Sequence, residues 1–88
     1  MMENYTKLNE RYYKLAREFS EKYGPIPSDH IIDIMVSIMK TRDNVIPGGS
    51  FVQSIIDNNL SEAVNRADNE CINHFRLFVA TKQFCYLR

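Results

Sequence analysis

The sequence predicts an all-α fold: a compact four-helix domain with a long N-terminal helix. Apolar residues recur at spacings of three and four along most of the 88 residues, which is the periodicity of a helix face. The β-branched residues follow the same periodicity, so no strand pattern remains. Residues that stop or start helices then divide the chain. We expect one domain, residues 1–88, with helices over about 3–22, 29–41, 51–58 and 62–84.

The first helix is predicted from one apolar, largely aromatic stripe. Its members are Tyr5, Leu8, Tyr12, Leu15, Phe19 and Tyr23. A helix of about 20 residues extends about 30 Å, which is long for so small a domain. We therefore expect part of the stripe to pack on another subunit, and Gly24-Pro25 to end the helix.

The second helix is predicted to begin after Ser28. A serine hydroxyl is a good helix cap, and Asp29 in the first turn favours the helix dipole. Its buried face is expected to hold Ile31, Ile32, Met35, Val36 and Met39.

The turn at residues 46–50, Ile-Pro-Gly-Gly-Ser, is predicted to lead into the third helix, with Ser50 as its cap. Asn58-Asn59 should stop that helix, and Ser61 should cap the fourth. Arg66 would then lie in the first turn and a half of the fourth helix. Two neighbouring helix N-termini with one guanidinium can bind an anion, or can simply form a well-capped corner.

The charge balance limits the classes of partner. Eleven basic residues oppose eleven acidic ones, so we expect no binding of long nucleic acid, which needs a net basic face. A ligand with two or three phosphates needs only a few local cations. No apolar stretch approaches the ~20 residues of a membrane span, so we expect neither a membrane span nor a signal peptide. The two cysteines, Cys71 and Cys85, suit a reducing cytoplasm.

Catalytic and metal sites are not expected. His30 with Asp29 and Asp33 is the nearest approach to an acid–base or metal cluster. A catalytic zinc site needs at least three convergent ligands, and the other histidine, His74, is distant in sequence. The sequence shows no nucleophile–base motif, phosphate loop or cofactor fingerprint. We expect a structural His30, an inert Cys71, no metal and no cofactor.

Two aromatic or basic residues of the first helix have both a binding and a structural interpretation. Tyr12 could stack on a nucleobase, or it could be a core aromatic with its hydroxyl at the boundary. Lys22 could reach a phosphate near the start of the second helix, or it could be a solvated lysine at a helix C-terminus.

Three further residues are candidates near the later helix ends. Ser28 is a cap that could also contact a ligand. Arg66 could bind a phosphate, or it could pair with Glu62 or Glu70 four residues away. Asn69 could orient Arg66 or contact a base edge.

Two segments resemble a family of small tailed-phage proteins whose pattern reads G-P-x-P-x-H, then I-P-x-G-x-F, N-D-L and A-x-x-R-A-D. The matching residues are Gly24, Pro25, Pro27, His30, Ile46, Pro47, Gly49, Phe51, Asn59, Leu60, Ala63, Arg66, Ala67 and Asp68. The resemblance covers about half of the chain. The chain departs from the pattern at Asn58-Asn59 and at Cys71, where the family has N-D and Asn. Two residues separate Pro27 from His30 where the pattern has one, and the segment between His30 and Ile46 is a few residues longer.

The resemblance implies a function in immune evasion. Members of this family include anti-CBASS sponges, which bind cyclic oligonucleotide second messengers in the host cell cytoplasm without cleaving them. They assemble as symmetric homo-oligomers, namely hexamers. Cyclic dinucleotides such as cGAMP lie between paired N-terminal regions, and cyclic trinucleotides occupy a second pocket. By resemblance, Tyr12 and Lys22 would serve the first pocket and Arg66 the second.

Two other hypotheses come from different classes. The chain could be a protein–protein inhibitor that docks on a host enzyme through the aromatic stripe of its first helix. It could also be an enzyme that degrades the messengers, with His30 or His74 as the acid–base.

Overall fold

A computed structural model describes residues 2–25 and 27–87, with side chains described from Thr6 onward; Tyr5, at the start of the predicted stripe, therefore has no described side chain. The helices are α1 (Met2–Ser20), α2 (Asp29–Arg42), α3 (Ser50–Ile56), α4 (Leu60–Arg66), α5 (Asn69–Asn73) and α6 (Phe75–Phe84). A 3₁₀ turn, Glu21–Tyr23, follows α1. The described residues contain no strand, so the predicted all-α class is confirmed. Among them, no helix is both long and apolar enough to cross a membrane.

Three shorter helices replace the predicted fourth helix. The described chain therefore has six α-helices, and the predicted count of four was wrong. Asp68 has an extended backbone, with ψ 177°, and its side chain accepts the N–H of Cys71 at 2.8 Å. Aspartate at a cap satisfies a backbone donor that would otherwise be orphaned. His74, with φ −116° and ψ 16°, then separates α5 from α6.

The helix caps were predicted with mixed success. Ser28 caps α2 as expected, accepting the N–H of Ile31 at 3.5 Å. Ser50 is instead the first residue of α3, whose cap position is Gly49. Asn59, not Ser61, caps α4, and it accepts the N–H of Glu62 at 3.2 Å. Asn58 has a positive φ of 60°, which ends α3 where the sequence predicted a stop.

The core is built around α2. Six of its apolar residues are almost fully buried: Ile31, Ile32, Met35, Val36, Ile38 and Met39. α1, α3 and α6 all pack against this helix. Burial of an aliphatic side chain stabilises the fold by about 1.5–3 kcal/mol, so α2 contributes a large part of the stability of so short a chain.

The apolar stripe of α1 is internal. Tyr12, Ala16 and Phe19 are buried, and Leu8 and Leu15 pack against the same core. The described stripe from Leu8 to Phe19 is therefore covered largely within one chain. That part of the stripe is not available as the docking face that the protein-inhibitor hypothesis required. Tyr23, at its end, is exposed.

A hydrogen-bond network around Asp43 ties α1, α2 and α6 together. The Tyr12 hydroxyl donates to Asp43 Oδ2 at 2.8 Å, and Arg42 Nε donates to Asp43 Oδ1 at 2.9 Å. Arg42 Nη1 also donates to the carbonyls of Thr81 and Lys82, both at 3.0 Å. One guanidinium thus links the end of α2 to the end of α6.

The network shifts the acidity of two groups. Burial of Tyr12, followed by its hydrogen bond to Asp43 and the Asp43 charge, raises the pKa of Tyr12 to about 12. Burial alone would raise the pKa of Asp43, but the hydrogen bonds from Arg42 and Tyr12 outweigh it and lower that pKa.

Replacing Tyr12 with phenylalanine tests this network. Tyr12→Phe should lower the free energy of unfolding by about 1.5–3 kcal/mol, because a hydrogen bond to a charged group is lost. Urea unfolding measures the change. Tyr13→Phe is the matched control, since Tyr13 donates at 2.7 Å to Asp33 at the surface and should cost no more than about 0.5 kcal/mol. Equal losses would contradict the assignment.

The same variant tests the pKa of Tyr12. A raised folded-state pKa means that the stabilisation is complete below the usual tyrosine pKa of 10.0 and is lost as the pH rises through about 12. An ultraviolet titration of the wild-type protein should show one tyrosine that ionises near pH 12. Tyr12→Phe should remove that component, and its survival would show that another tyrosine is responsible.

Candidate functional site

The two segments that carry the family resemblance meet at the surface where α2 and α5 begin. His30 Nε2 lies 3.2 Å from Asp68 Oδ2, across 38 residues of sequence. Ser28 donates to a carboxylate oxygen of Glu70, and Cys71 Sγ lies 4.0 Å from His30 Nε2. We call these five residues the α2–α5 junction.

Helix capping produces the junction. Ser28 is the cap of α2 and His30 lies in its first turn, while Asp68 is the cap of α5 and Cys71 lies in its first turn. The two capped ends contact each other. Polar side chains that suit helix caps therefore also form contacts between the two helices. Glu70 is thereby engaged by Ser28 rather than by Arg66, which the sequence had allowed.

Two pKa values at the junction are shifted. The backbone N–H of Cys71, then its thiol and His30, lower the pKa of Asp68. Burial of Cys71, then the neighbouring Asp68, raises the pKa of the Cys71 thiol to about 11. The thiol is therefore protonated near neutral pH, as expected for an unreactive cysteine.

A cleft of about 310 Å³ lies between Gly24, Pro25 and Pro27 on one side and the start of α6 on the other. Its walls include Tyr23, Gly24, Pro25, Asn73, His74 and Arg76. Arg76 supplies a cation, and His74 Nδ1 donates to the Glu70 carbonyl at 2.8 Å. We call this the Gly24 cleft.

Lys22 immediately precedes the wall residue Tyr23 and is exposed. Its Nζ lies 5.5 Å from the centre of the Phe19 ring, so it makes a cation–π contact at the helix end. Lys22 is not itself a wall residue of the Gly24 cleft and adjoins the cleft only through its neighbour Tyr23.

Arg66 lies in a separate open depression of about 360 Å³, with the Gly48-Gly49-Ser50 turn on its other side. It is the last residue of α4, not a residue of the first turn and a half, which corrects the predicted position. Arg66 Nε donates to Glu62 Oε1 at 2.7 Å, the intrahelical pair that the sequence offered as the alternative. Its side chain remains 49% exposed.

Tyr12 and Asn69 complete the predicted set. Tyr12 is only 2% exposed, so its ring is a core aromatic with a bonded hydroxyl, and no face is available to a base; this corrects the stacking interpretation. Asn69 is the exposed first residue of α5, next to Asp68. No hydrogen bond joins Asn69 to Arg66 among the described side chains.

The structure thus groups some predicted residues and separates others. Ser28 and Asn69 lie at or beside the junction, Lys22 lies near the Gly24 cleft, and Arg66 lines its own depression. The sequence argument missed Glu70 and Arg76. Aspartate is a common helix-capping residue, so Asp68 could have indicated the junction from the sequence. No sequence pattern indicated the position of Arg76.

The Gly48 backbone packs closely against Thr41 and Val52. A Cβ atom there would lie 2.6 Å from Thr41 Oγ1 and 2.9 Å from Val52 Cβ. Gly48→Ala should therefore lower the free energy of unfolding by about 1–3 kcal/mol, as overpacking does. Thermal or urea unfolding measures the loss.

Gly49→Ala is the control, because a Cβ at that position would meet nothing within 4 Å. Its cost should stay below about 1 kcal/mol, since alanine is only a poorer cap than glycine. A larger loss for Gly49→Ala than for Gly48→Ala would contradict this account of the turn.

Comparison with known proteins gives no further assignment: no family model, no curated protein and no solved structure matches this chain.

Proposed function

We propose that this chain binds cyclic oligonucleotide second messengers and sequesters them without cleavage, blocking the host's CBASS signalling. One observation supports the proposal above the others. His30 and Asp68, which both belong to the residues that carry the family resemblance, contact each other at an exposed polar surface, where Ser28 also donates to Glu70. Residues that match a family pattern and meet in space are the arrangement expected of a shared site.

The local charges suit a small anion. The chain has no net charge, yet the Gly24 cleft contains Arg76 and has Lys22 beside it. The Arg66 depression offers one exposed guanidinium. A guanidinium can bind a phosphate through two parallel hydrogen bonds, so two or three phosphates need no broad basic face.

The size of these sites favours assembly. The Gly24 cleft and the Arg66 depression measure about 310 and 360 Å³, at the lower end of the roughly 300–1,000 Å³ of small-molecule sites. A ligand of two or three nucleotides would need walls from a second chain. A symmetric ligand also suits an interface between identical chains. The proposal therefore includes a symmetric homo-oligomer, and the resemblance implies a hexamer.

An apolar groove on α6 is the surface that we assign to that assembly. Tyr23, Phe75, Val79 and Phe84 line a depression of about 520 Å³, and Phe84 is 67% exposed. Tyr23 and Arg76 line both this α6 groove and the Gly24 cleft. A second chain seated on the groove would therefore complete the cleft.

Sequestration is favoured over cleavage by the state of the one thiol that lies beside His30 among the described residues. The Cys71 thiol has a pKa of about 11, so it is a poor nucleophile at neutral pH.

A trap-and-release assay tests the proposal. The purified protein is mixed with a panel of cyclic di- and trinucleotides, separated from unbound ligand, and heat-denatured, and the released species are analysed. We expect intact cyclic messenger to be released. Linear products would indicate an enzyme, and no retained ligand would contradict sequestration.

Variants locate the ligand. Arg76→Ala or Lys22→Ala should weaken cyclic dinucleotide binding, and Arg66→Ala should weaken cyclic trinucleotide binding, each by about 10- to 100-fold for a lost charge-assisted contact. Calorimetry measures the Kd. Lys14→Ala is the control, because Lys14 is an exposed cation of α1 outside both sites. An equal loss in Lys14→Ala would point to non-specific attraction.

The assembly is tested separately by a charge in the α6 groove. Phe84→Glu should convert the oligomer to a monomer, because the carboxylate would be buried at the interface without a partner. Sedimentation velocity measures the mass. Leu60→Glu is the control: Leu60 is 63% exposed on α4 and lies outside the groove, so the oligomer should persist. Dissociation by both variants, or a monomeric wild-type protein, would contradict this interface.

A further inference from the structure

Three side chains of the α2–α5 junction direct potential metal-ligating atoms at one point. They are Nε2 of His30, Oδ2 of Asp68 and Sγ of Cys71. One ligand atom from each of the three residues, a carboxylate oxygen in the case of Asp68, lies within 4.8 Å of the other two. They come from two helices that are distant in sequence, so only the folded chain brings them together.

The separations are close to those of a tetrahedral zinc site. Zinc binds imidazole nitrogen at about 2.0–2.1 Å, carboxylate oxygen at about 2.0–2.2 Å and thiolate sulfur at about 2.3 Å. Tetrahedral angles then place two ligands of one ion roughly 3.3–3.6 Å apart. The His30–Asp68 distance is 3.2 Å and the His30–Cys71 distance is 4.0 Å. A shift of about half an ångström would bring these two distances to the tetrahedral values, and the ligand atoms of Asp68 and Cys71 lie within 4.8 Å of each other.

The donor types select the ion. Imidazole nitrogen and thiolate sulfur favour zinc and similar transition ions, whereas magnesium and calcium prefer oxygen ligands. We propose that His30, Asp68 and Cys71 form a binding site for Zn²⁺, with a water molecule as the fourth ligand. The fourth position faces solvent, because the side chains of His30 and Asp68 are 51% and 58% exposed.

The surrounding contacts hold two of the ligands in position. Asp68 Oδ1 accepts the backbone N–H of Cys71 at 2.8 Å, which leaves Oδ2 to meet the ion. Cys71 is buried in the first turn of α5, so its sulfur has little freedom to turn away. Such supporting contacts orient metal ligands in known sites. On binding, the Cys71 S–H bond breaks, the sulfur bonds to zinc, and the proton passes to solvent.

The expectation of no metal site considered Asp29, His30 and Asp33 of α2 and the distant His74, but not the residues of α5. His30 and Asp33 share α2, but Asp33 accepts a hydrogen bond from Tyr13 at 2.7 Å. Asp68 and Cys71, at the start of α5, are the ligands that approach His30 in the folded chain. The sequence pattern did not indicate that they are close. The inference does not depend on the proposed binding of cyclic oligonucleotides.

Cobalt(II) titration under reducing conditions tests the site, because a thiolate ligand gives a charge-transfer absorption band in the near ultraviolet. The wild-type protein should show this band and saturate at one ion per chain, and zinc should displace the cobalt. Cys71→Ser and His30→Gln should each lose the saturable binding. His30 is exposed, so His30→Gln keeps the core intact even where Cys71→Ser unfolds the chain.

Matched controls use the second member of each residue type. Cys85→Ser and His74→Gln should retain the band and its stoichiometry, because Cys85 and His74 lie outside the ligand set. No band in the wild-type protein, or a band that persists in His30→Gln, would overturn the proposal. Loss of the band in Cys85→Ser with a folded circular-dichroism spectrum would do the same.

Thermal unfolding provides a readout independent of cobalt. Zinc that binds only the folded chain should raise Tm by about 10 °C at free zinc about 100-fold above its Kd. His30→Gln should abolish that shift, whereas His74→Gln should retain it. An equal shift in both variants would indicate that zinc binds elsewhere.

Discussion

The enclosure of α2 is the constraint on which the rest of the structure depends. Residues 31–39 of this helix hold six almost fully buried apolar side chains, which is more than one neighbouring helix can cover. α1, α3 and α6 therefore surround it. A chain of 88 residues has little other apolar surface to bury, so this arrangement commits most of its helical faces to one core.

That commitment decides which surfaces remain for function. The aromatic stripe of α1 is used internally, and Arg42 holds the end of α2 to the carbonyls of Thr81 and Lys82. Helix ends and turns stay exposed, as do the polar face of α1 and the outer face of α6. The polar candidate sites consequently lie at caps, where Ser28 and Asp68 each satisfy a backbone donor and also contact a side chain of another helix.

Capping thus links stability to the candidate sites. The break at Asp68 divides the predicted fourth helix, and it also turns α5 so that Asp68 and Cys71 approach His30. In a continuous helix, Arg66 and Asp68 would belong to the same helix, and Arg66 would lie one turn from both Glu62 and Glu70. The proposed ligand cleft, the proposed zinc site and the α6 groove all adjoin the segment that this break reorients.

The sequence by itself determined the helical class, the boundaries of α2, its Ser28 cap and its buried face, because these follow from local periodicity and capping chemistry. The burial of Tyr12, the pairing of Arg66 with Glu62 and the division of residues 62–84 into three helices were decided only in the tertiary structure. A stripe shows that one face is apolar but not what covers it. Likewise, a capping residue competes with helix continuation by energies of about 1 kcal/mol, so packing elsewhere decides the outcome. The convergence of His30, Asp68 and Cys71 depends on how two helix ends dock, and no local pattern records that.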